Sequence, residues 1–256
     1  MHFVAKSSGI AALLAAIFVP SRLSAQETDA RVWSGTIQAN GSILFGNTEQ
    51  RIVGGKITVA RGDSVMELGA ELQTLYGESS VEGQDPVVVK RLWLGALTFD
   101  WRPYAHLSPF LFGSVESNLE KRIAQRYSVG VGAKRTFVAT DATEASLSVA
   151  LLEEQTVPRA EAPDPSVVRL ERWSLRGRAR HAFTDRVRAS HVTFWKPEVR
   201  AWDRYLIQST SELIFQLTEA LSFSILLVDN YDSEARTRGA RVYNDGQLLF
   251  GVAAKW

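Results

Sequence analysis

Apolar and polar side chains alternate along most of this chain. The last ten residues show it plainly: Leu248, Phe250, Val252, Ala254 and Trp256 share one parity, and Gln247, Leu249, Gly251, Ala253 and Lys255 the other. Successive side chains of a strand point to opposite faces, so the segment has one oily face and one mostly wet face. The first such segment repeats the pattern, with Trp33, Gly35, Ile37, Ala39, Gly41, Ile43 and Phe45 against Ser34, Thr36, Gln38, Asn40 and Ser42. Gly46-Asn47-Thr48 then reads as a tight turn.

The same periodicity predicts about twelve strands, over 33–45, 50–60, 64–76, 87–101, 109–119, 125–137, 144–155, 167–183, 186–195, 202–217, 221–229 and 247–256. Facing is least clear in the fourth and fifth, where apolar residues occupy both parities, and the ninth is the weakest strand signal. Polar loops are predicted over 78–86, 156–166 and 230–242, the second holding three prolines. The connections after strands 2, 6, 8 and 10 are short: Arg61-Gly62-Asp63, 140–143, Thr184-Asp185 and Thr218-Glu219-Ala220. Those after strands 3, 7, 9 and 11 are longer, and the short one after strand 1 is an exception. Short turns on one side and long loops on the other are the asymmetry of bacterial outer-membrane barrels.

The expected fold is therefore all-β: an antiparallel up-and-down transmembrane β-barrel of about twelve strands, with both chain ends on the short-turn, periplasmic side. Trp33, Phe99, Trp101, Phe137, Phe183, Phe215 and Trp256 fall near that side and would form an aromatic girdle at the lipid boundary, with Phe250 and Trp256 in the terminal strand. A soluble sandwich or lipocalin-like barrel shows the same alternation with its apolar faces turned inward. Strand length, loop asymmetry and aromatics at strand ends favour the membrane form.

Residues 1–25 read as an export signal rather than as part of the fold. Lys6 is the positive n-region, 9–19 a short apolar stretch, Pro20 a break, and Leu23-Ser24-Ala25 a cleavage site before Gln26. The apolar stretch is too short for the roughly 20 residues of a spanning helix. The domain division is thus 1–25, then one barrel domain over 26–256. Removing the signal takes away Lys6 and Arg22, leaving 27 basic against 28 acidic residues. That balance gives no reason to expect nucleic acid as a partner. The chain has no cysteine, which excludes disulfides, thiol nucleophiles and cysteine metal sites.

The most unusual constellation is the row Arg172, Arg176, Arg178 and Arg180 on the wet face of the eighth strand, opposite Trp173, Leu175, Ala179 and Phe183. Facing lipid, arginines near the midplane would each cost about 2–4 kcal/mol. Facing inward they need carboxylates or water, and Glu67, Glu71, Glu116 and Glu212 are candidate partners, with Lys56 on the wet face of strand 2. These nine residues are the expected lumen lining. An anion-attracting constriction and a salt-bridge network filling a narrow barrel both fit them. A twelve-stranded barrel lies between the filled eight-stranded and the open sixteen-stranded forms.

No catalytic, cofactor or metal residue is expected. Ser190 and His191 are sequence neighbours, so they point to opposite faces, and His106 falls in a periplasmic turn. Asp229, Asp232, Glu234 and Asp245 could hold calcium, but Arg236, Arg238 and Arg241 interleave with them, which favours a solvated mixed-charge loop able to meet lipopolysaccharide phosphates.

Four stretches carry a family resemblance: Trp33-Ser34-Gly35 with the segment from Gly41-Ser42 to Asn47-Thr48; Glu120-Lys121-Arg122 with Arg126-Tyr127-Ser128-Val129-Gly130-Val131-Gly132; Asp229-Asn230-Tyr231-Asp232-Ser233; and Asn244-Asp245. The chain resembles the YdiY-like salt-induced outer-membrane proteins, a domain of unknown function, over nearly its whole length past the signal; 141–200 resembles them in pattern alone. The resemblance implies location and fold and brings no catalytic residues. The terminal aromatic looks like the signal read by the outer-membrane assembly machinery. The expected partners are that machinery and outer-membrane lipid. The leading functional expectation is a narrow pore or envelope-adaptation protein, the rival a sealed structural or interaction barrel packed with charge, and a lipid-active enzyme the minor alternative.

Overall fold

The computed structural model describes residues 32–256 apart from 45–47, 82–83, 104, 162–163, 165 and 237–241. Residues 1–25, expected as an export signal, Phe45, the expected Gly46-Asn47 turn and the arginines 238 and 241 lie outside the described residues. Twelve strands follow one another: β1 (Val32–Leu44), β2 (Thr48–Gly62), β3 (Met66–Val81), β4 (Val87–Trp101), β5 (Leu107–Asn118), β6 (Ile123–Ala139), β7 (Thr143–Pro158), β8 (Val168–Ala182), β9 (Val187–Pro197), β10 (Tyr205–Gln216), β11 (Leu221–Asp232) and β12 (Asn244–Lys255). Each pairs antiparallel with its sequence neighbours, and β12 pairs with β1 to close the barrel.

Turn chemistry explains how tightly one rim is stitched. Asp63 Oδ1 accepts the N–H groups of Val65 and Met66 at 2.8 and 2.9 Å. Thr140, Thr184 and Thr218 use their hydroxyl oxygens the same way, accepting from Thr143 (2.9 Å), Val187 (3.0 Å) and Leu221 (3.0 Å). Short side-chain oxygens that bond their own backbone two or three residues on replace the ladder bonds a reversing chain gives up. The remaining turn on this rim, between β4 and β5, instead sets Arg102 at φ 51°.

The barrel closes where Trp256 lies across Gly35. Their backbones exchange N–H···O bonds of 3.2 Å in both directions. A Cβ on Gly35 would stand 2.3 Å from the indole, so only glycine leaves room for the ring. An aromatic laid over a strand glycine is a known device for stiffening such positions.

The register settles which way the alternation faces. Ile37 on β1 pairs with Ile57 on β2, which pairs with Leu72 on β3, and all three are exposed on the outside. The series continues around the barrel through Leu97, Val131, Val149, Leu227 and Phe250, all exposed. A soluble protein does not present so continuous an apolar wall to water. The inward parity carries the polar and charged side chains. The soluble-barrel alternative is overturned by this facing.

The strands outrun the alternation. β3 continues through Glu78-Ser79-Ser80 to Val81, and β7 through Thr156-Val157-Pro158, into segments expected as loops; β11 likewise enters the predicted charged loop and ends at Asp232. Ladder hydrogen bonds need backbone partners rather than apolar side chains, so pairing carries the strands past the oily belt. The loop asymmetry is correspondingly partial. The longest connections are 159–167, 198–204 and 233–243, all in the second half, while β5 reaches β6 through a tight turn in which Arg122 takes φ 54°.

Candidate functional site

The inward faces enclose one cavity of about 1340 Å³. Its lining reaches from Pro103, His106 and Asp141 at the short-turn rim to Asn118, Glu120 and Lys121 at the other. Lys56, Glu67, Glu71, Glu116, Arg176, Arg178, Arg180 and Glu212 all border it. Arg172 does not. It is 3% exposed, packed in the wall with its Nε 3.5 Å from Glu154 Oε1 and an Nη donating to the carbonyl of Lys196 at 3.4 Å.

The pairing inside differs from the one expected. Arg180 meets Glu144 at 2.9 Å, Lys56 meets Glu71 at 2.9 Å, and Lys134 meets Asp100 at 3.2 Å. Glu116 lies 3.9 Å from both Lys121 and Arg126, and Arg126 in turn 3.5 Å from Glu154. Glu212 accepts from Gln38 Nε2 at 3.0 Å, a bond that spans β11 and β12. Thus Glu71, Glu116 and Glu212 serve other partners, and Arg176 and Arg178 have no carboxylate within 4.0 Å among the described residues. Sequence parity shows which residues point inward. It does not show which of them meet, because strands far apart in sequence face each other across the bore.

Aromatics also enter the lumen. Phe110 and Phe112 on β5 and Phe194 on β9 point inward and border the cavity. Their place follows from the glycines of the next strand. A Cβ on Gly130 would stand 2.5 Å from Phe112, and one on Gly132 2.7 Å from Phe110. The missing side chains let both rings lie against the wall of β6 instead of across the bore. The mixed parity of strand five, which blurred its facing in the sequence, is the trace of these two phenylalanines.

On the outside, Trp33, Trp101, Phe183 and Trp256 are 49–61% exposed and sit at strand ends of the short-turn rim, whereas Phe250 (48%) lies higher, stacked on Phe223 with ring centroids 6.5 Å apart. Phe137, at an irregularity of β6 near the same rim, borders the cavity instead. Near the opposite rim Tyr205, Tyr231 and Tyr243 stack in a row, at 5.5 and 6.0 Å, and Trp195 meets Trp202 edge-on at 5.6 Å. Aromatic residues therefore gather toward both ends of the apolar wall, as at the two boundaries of a bilayer.

One part of the outer wall is not oily. His191 Nδ1 and Ser211 Oγ are 2.8 Å apart, His191 Nε2 and Thr193 Oγ1 2.7 Å, and Thr193 and Ser209 hydroxyls 2.9 Å. Ser190 does point to the opposite face, as expected; the serine that reaches His191 is Ser211, its direct cross-strand partner. Sequence reading missed this because the partner lies 20 residues away and only the β9–β10 register joins them. The cluster supplies an imidazole and hydroxyls. It supplies no donor pair for an oxyanion, since β9 and β10 spend their backbone N–H groups on ladders at both edges.

The family model of proteins of unknown function, DUF481, matches residues 37–256. The chain belongs to this family. The resemblance seen in its turn and loop motifs is thereby borne out, although the match starts after Trp33-Ser34-Gly35. No curated protein matches the chain. Among solved structures, the NanC porin superposes with a TM-score of 0.52 at 9% identity, covering 86% of this chain and 100% of that one. An outer membrane channel from Pseudomonas putida F1 gives 0.49 at 9% identity, over 93% of this chain and 98% of that one, and the KdgM porin 0.44 at 13%, over 86% and 98%. The likeness to the first shows the fold, an outer-membrane-type β-barrel, and nothing finer.

Proposed function

We propose that this chain is a narrow water-filled pore of the bacterial outer membrane, delivered there by cleavage of residues 1–25 and serving adaptation of the envelope, the role a salt-induced type would have. The observation that carries the reading is the continuous cavity lined from one rim to the other, with charged side chains throughout. Among the described residues the lining holds nine basic and nine acidic side chains, so any anion preference comes from the local field of the unpaired arginines on one wall rather than from the net charge of the bore. Arg176 and Arg178 have no carboxylate within 4.0 Å among the described residues, while Glu71, Asp100 and Glu116 in the same lining are already paired.

The test is planar-bilayer recording of the refolded protein. Discrete single-channel steps with anion preference are expected, and Arg178→Glu should reduce or reverse that preference. A barrel that stays silent would favour the second reading, a sealed interaction barrel. The paired network of Glu116, Arg126, Glu154 and Arg172 at the end of the bore away from the short turns supports that reading. Growth of a deletion strain under salt stress tests the adaptation role separately.

A further inference from the structure

Resting on the pore reading, we propose that the lumen contains a discrete station for a ring-bearing monocarboxylate, built by Arg176 and Arg178 between the rings of Phe110 and Phe194. The guanidinium carbon of Arg176 lies 5.9 Å from the centroid of Phe110 and 6.0 Å from that of Phe194. The cation is thus held between two aromatic side chains from different strands, an arrangement that fixes its plane. Nη2 donates to Ser148 Oγ at 3.1 Å, and the buried Nε finds no acceptor. An arginine carries five donors. The buried Nε is closed to solutes, and of the four Nη hydrogens only one is taken by an oxygen among the described residues, so the Nη fork is what remains for a ligand. Such a fork is shaped for a carboxylate.

Arg178 lies two residues along the same inward face, roughly 7 Å on at the rise of a strand, exposed and also without a carboxylate within 4.0 Å among the described residues. Two charges at that spacing make one positive patch for a single carboxylate, with Arg176 pairing to it and Arg178 strengthening the local field. The wall beside them is small: Ser148 pairs across from Arg176 and Ser146 across from Arg178 on β7. Phe110 and Phe112 lie beside it over Gly132 and Gly130, centroids 6.4 Å apart and planes tilted by 36°. A carboxylate on the guanidinium places the rest of a ring-shaped solute against these side chains. A bare anion would use the charge and leave the aromatic faces unused. The required chemistry is one carboxylate on a flat or flat-faced six-membered ring, which a sugar acid and an aromatic acid both offer.

The experiment uses the full refolded chain in two settings, detergent micelles for calorimetric binding and planar bilayers for conductance. Glucuronate and benzoate are the probes, with glucose and acetate as controls at constant potassium chloride. Saturable binding of one or both ring acids is expected, and whichever binds identifies the source. Arg176→Lys, which keeps the charge and loses the fork, should weaken it about tenfold or more, as should Arg178→Gln. Phe110→Ala and Phe194→Ala should weaken the ring acids and leave acetate unchanged. Heat-modifiable migration on gels verifies that each variant folds. A conducting barrel that binds neither ring acid, or binds acetate equally well with no effect of either phenylalanine, overturns the station and leaves the pore standing. Binding in micelles by a barrel that stays silent in bilayers supports the station and overturns the pore.

Discussion

The outer faces of β2–β4 and of β8–β10 belong to one continuous wall but solve the bilayer differently. On β3 the outward series runs Met66, Leu68, Ala70, Leu72, broken by Thr74 before Tyr76, and beside it stand Leu97 and Phe99 of β4. On β8–β10 the outward series are Gly177 and Ala179, then Ala189, His191 and Thr193, then Ser209, Ser211 and Leu213. His191 lies four residues from Val187 and four from Trp195, so the polar cluster sits at mid-height of its strand. The small residues next to it leave a hollow of about 620 Å³, walled by Leu213, Ile225 and Leu227. The β3 series of the first face admits a single hydroxyl before its terminal tyrosine, that of Thr74. The second face keeps several polar groups and lets each satisfy the next. The lesson is that a membrane wall tolerates polarity in proportion to local hydrogen bonding rather than in proportion to count.

The sharpest way to break this comparison is to charge both faces. Leu72→Arg, in the outward apolar series of β3, should destabilise the barrel by about 2–4 kcal/mol in vesicle unfolding, while Thr193→Arg, beside hydroxyls and near the hollow, should lose clearly less. Equal losses would end the distinction. Next in size is Gly130→Val. Its Cβ would stand 2.5 Å from Phe112, 2.6 Å from Leu152 and 2.9 Å from a backbone oxygen, and overpacking of this kind costs about 1–3 kcal/mol. Because Phe112 must swing into the bore, single-channel conductance should fall together with stability. His191→Leu sharpens the comparison from the other side. It removes the hub of the cluster but leaves Thr193 bonded to Ser209, so unfolding should shift by no more than about 1 kcal/mol in either direction. The smallest effect belongs to Glu49→Ala, which removes a 3.5 Å ion pair with Arg51 whose partners are both over half exposed; vesicle unfolding should move by less than about 0.5 kcal/mol.

Legibility in the sequence varied with the range of the interaction. The strong alternation of β1, β3, β6 and β12 identified strands and facing, and even the weak ninth strand lies where its faint pattern put it. Strand five looked ambiguous because Phe110 and Phe112 share a parity with Glu116 and face water, and only Gly130 and Gly132 on the next strand explain how they fit. The arginine row was visible as a row. Its partners were not: Glu144 and Glu154 on β7 took Arg180 and Arg172, while Glu71, Glu116 and Glu212 met other side chains. Polar ends such as Glu78-Ser79-Ser80 read as loop because nothing in them alternates, yet the neighbouring β2 backbone held them in the ladder.

By itself the sequence determined the architecture, because a period of two over long segments leaves each strand one oily and one wet side, and lipid outside with water inside is the arrangement that satisfies both. The tertiary structure alone decided what the wet sides do together. Register and closure set which charges meet across the bore, which arginines stay free, and which serine reaches His191. Those contacts join strands that are remote along the chain, and no local pattern encodes the distance between them.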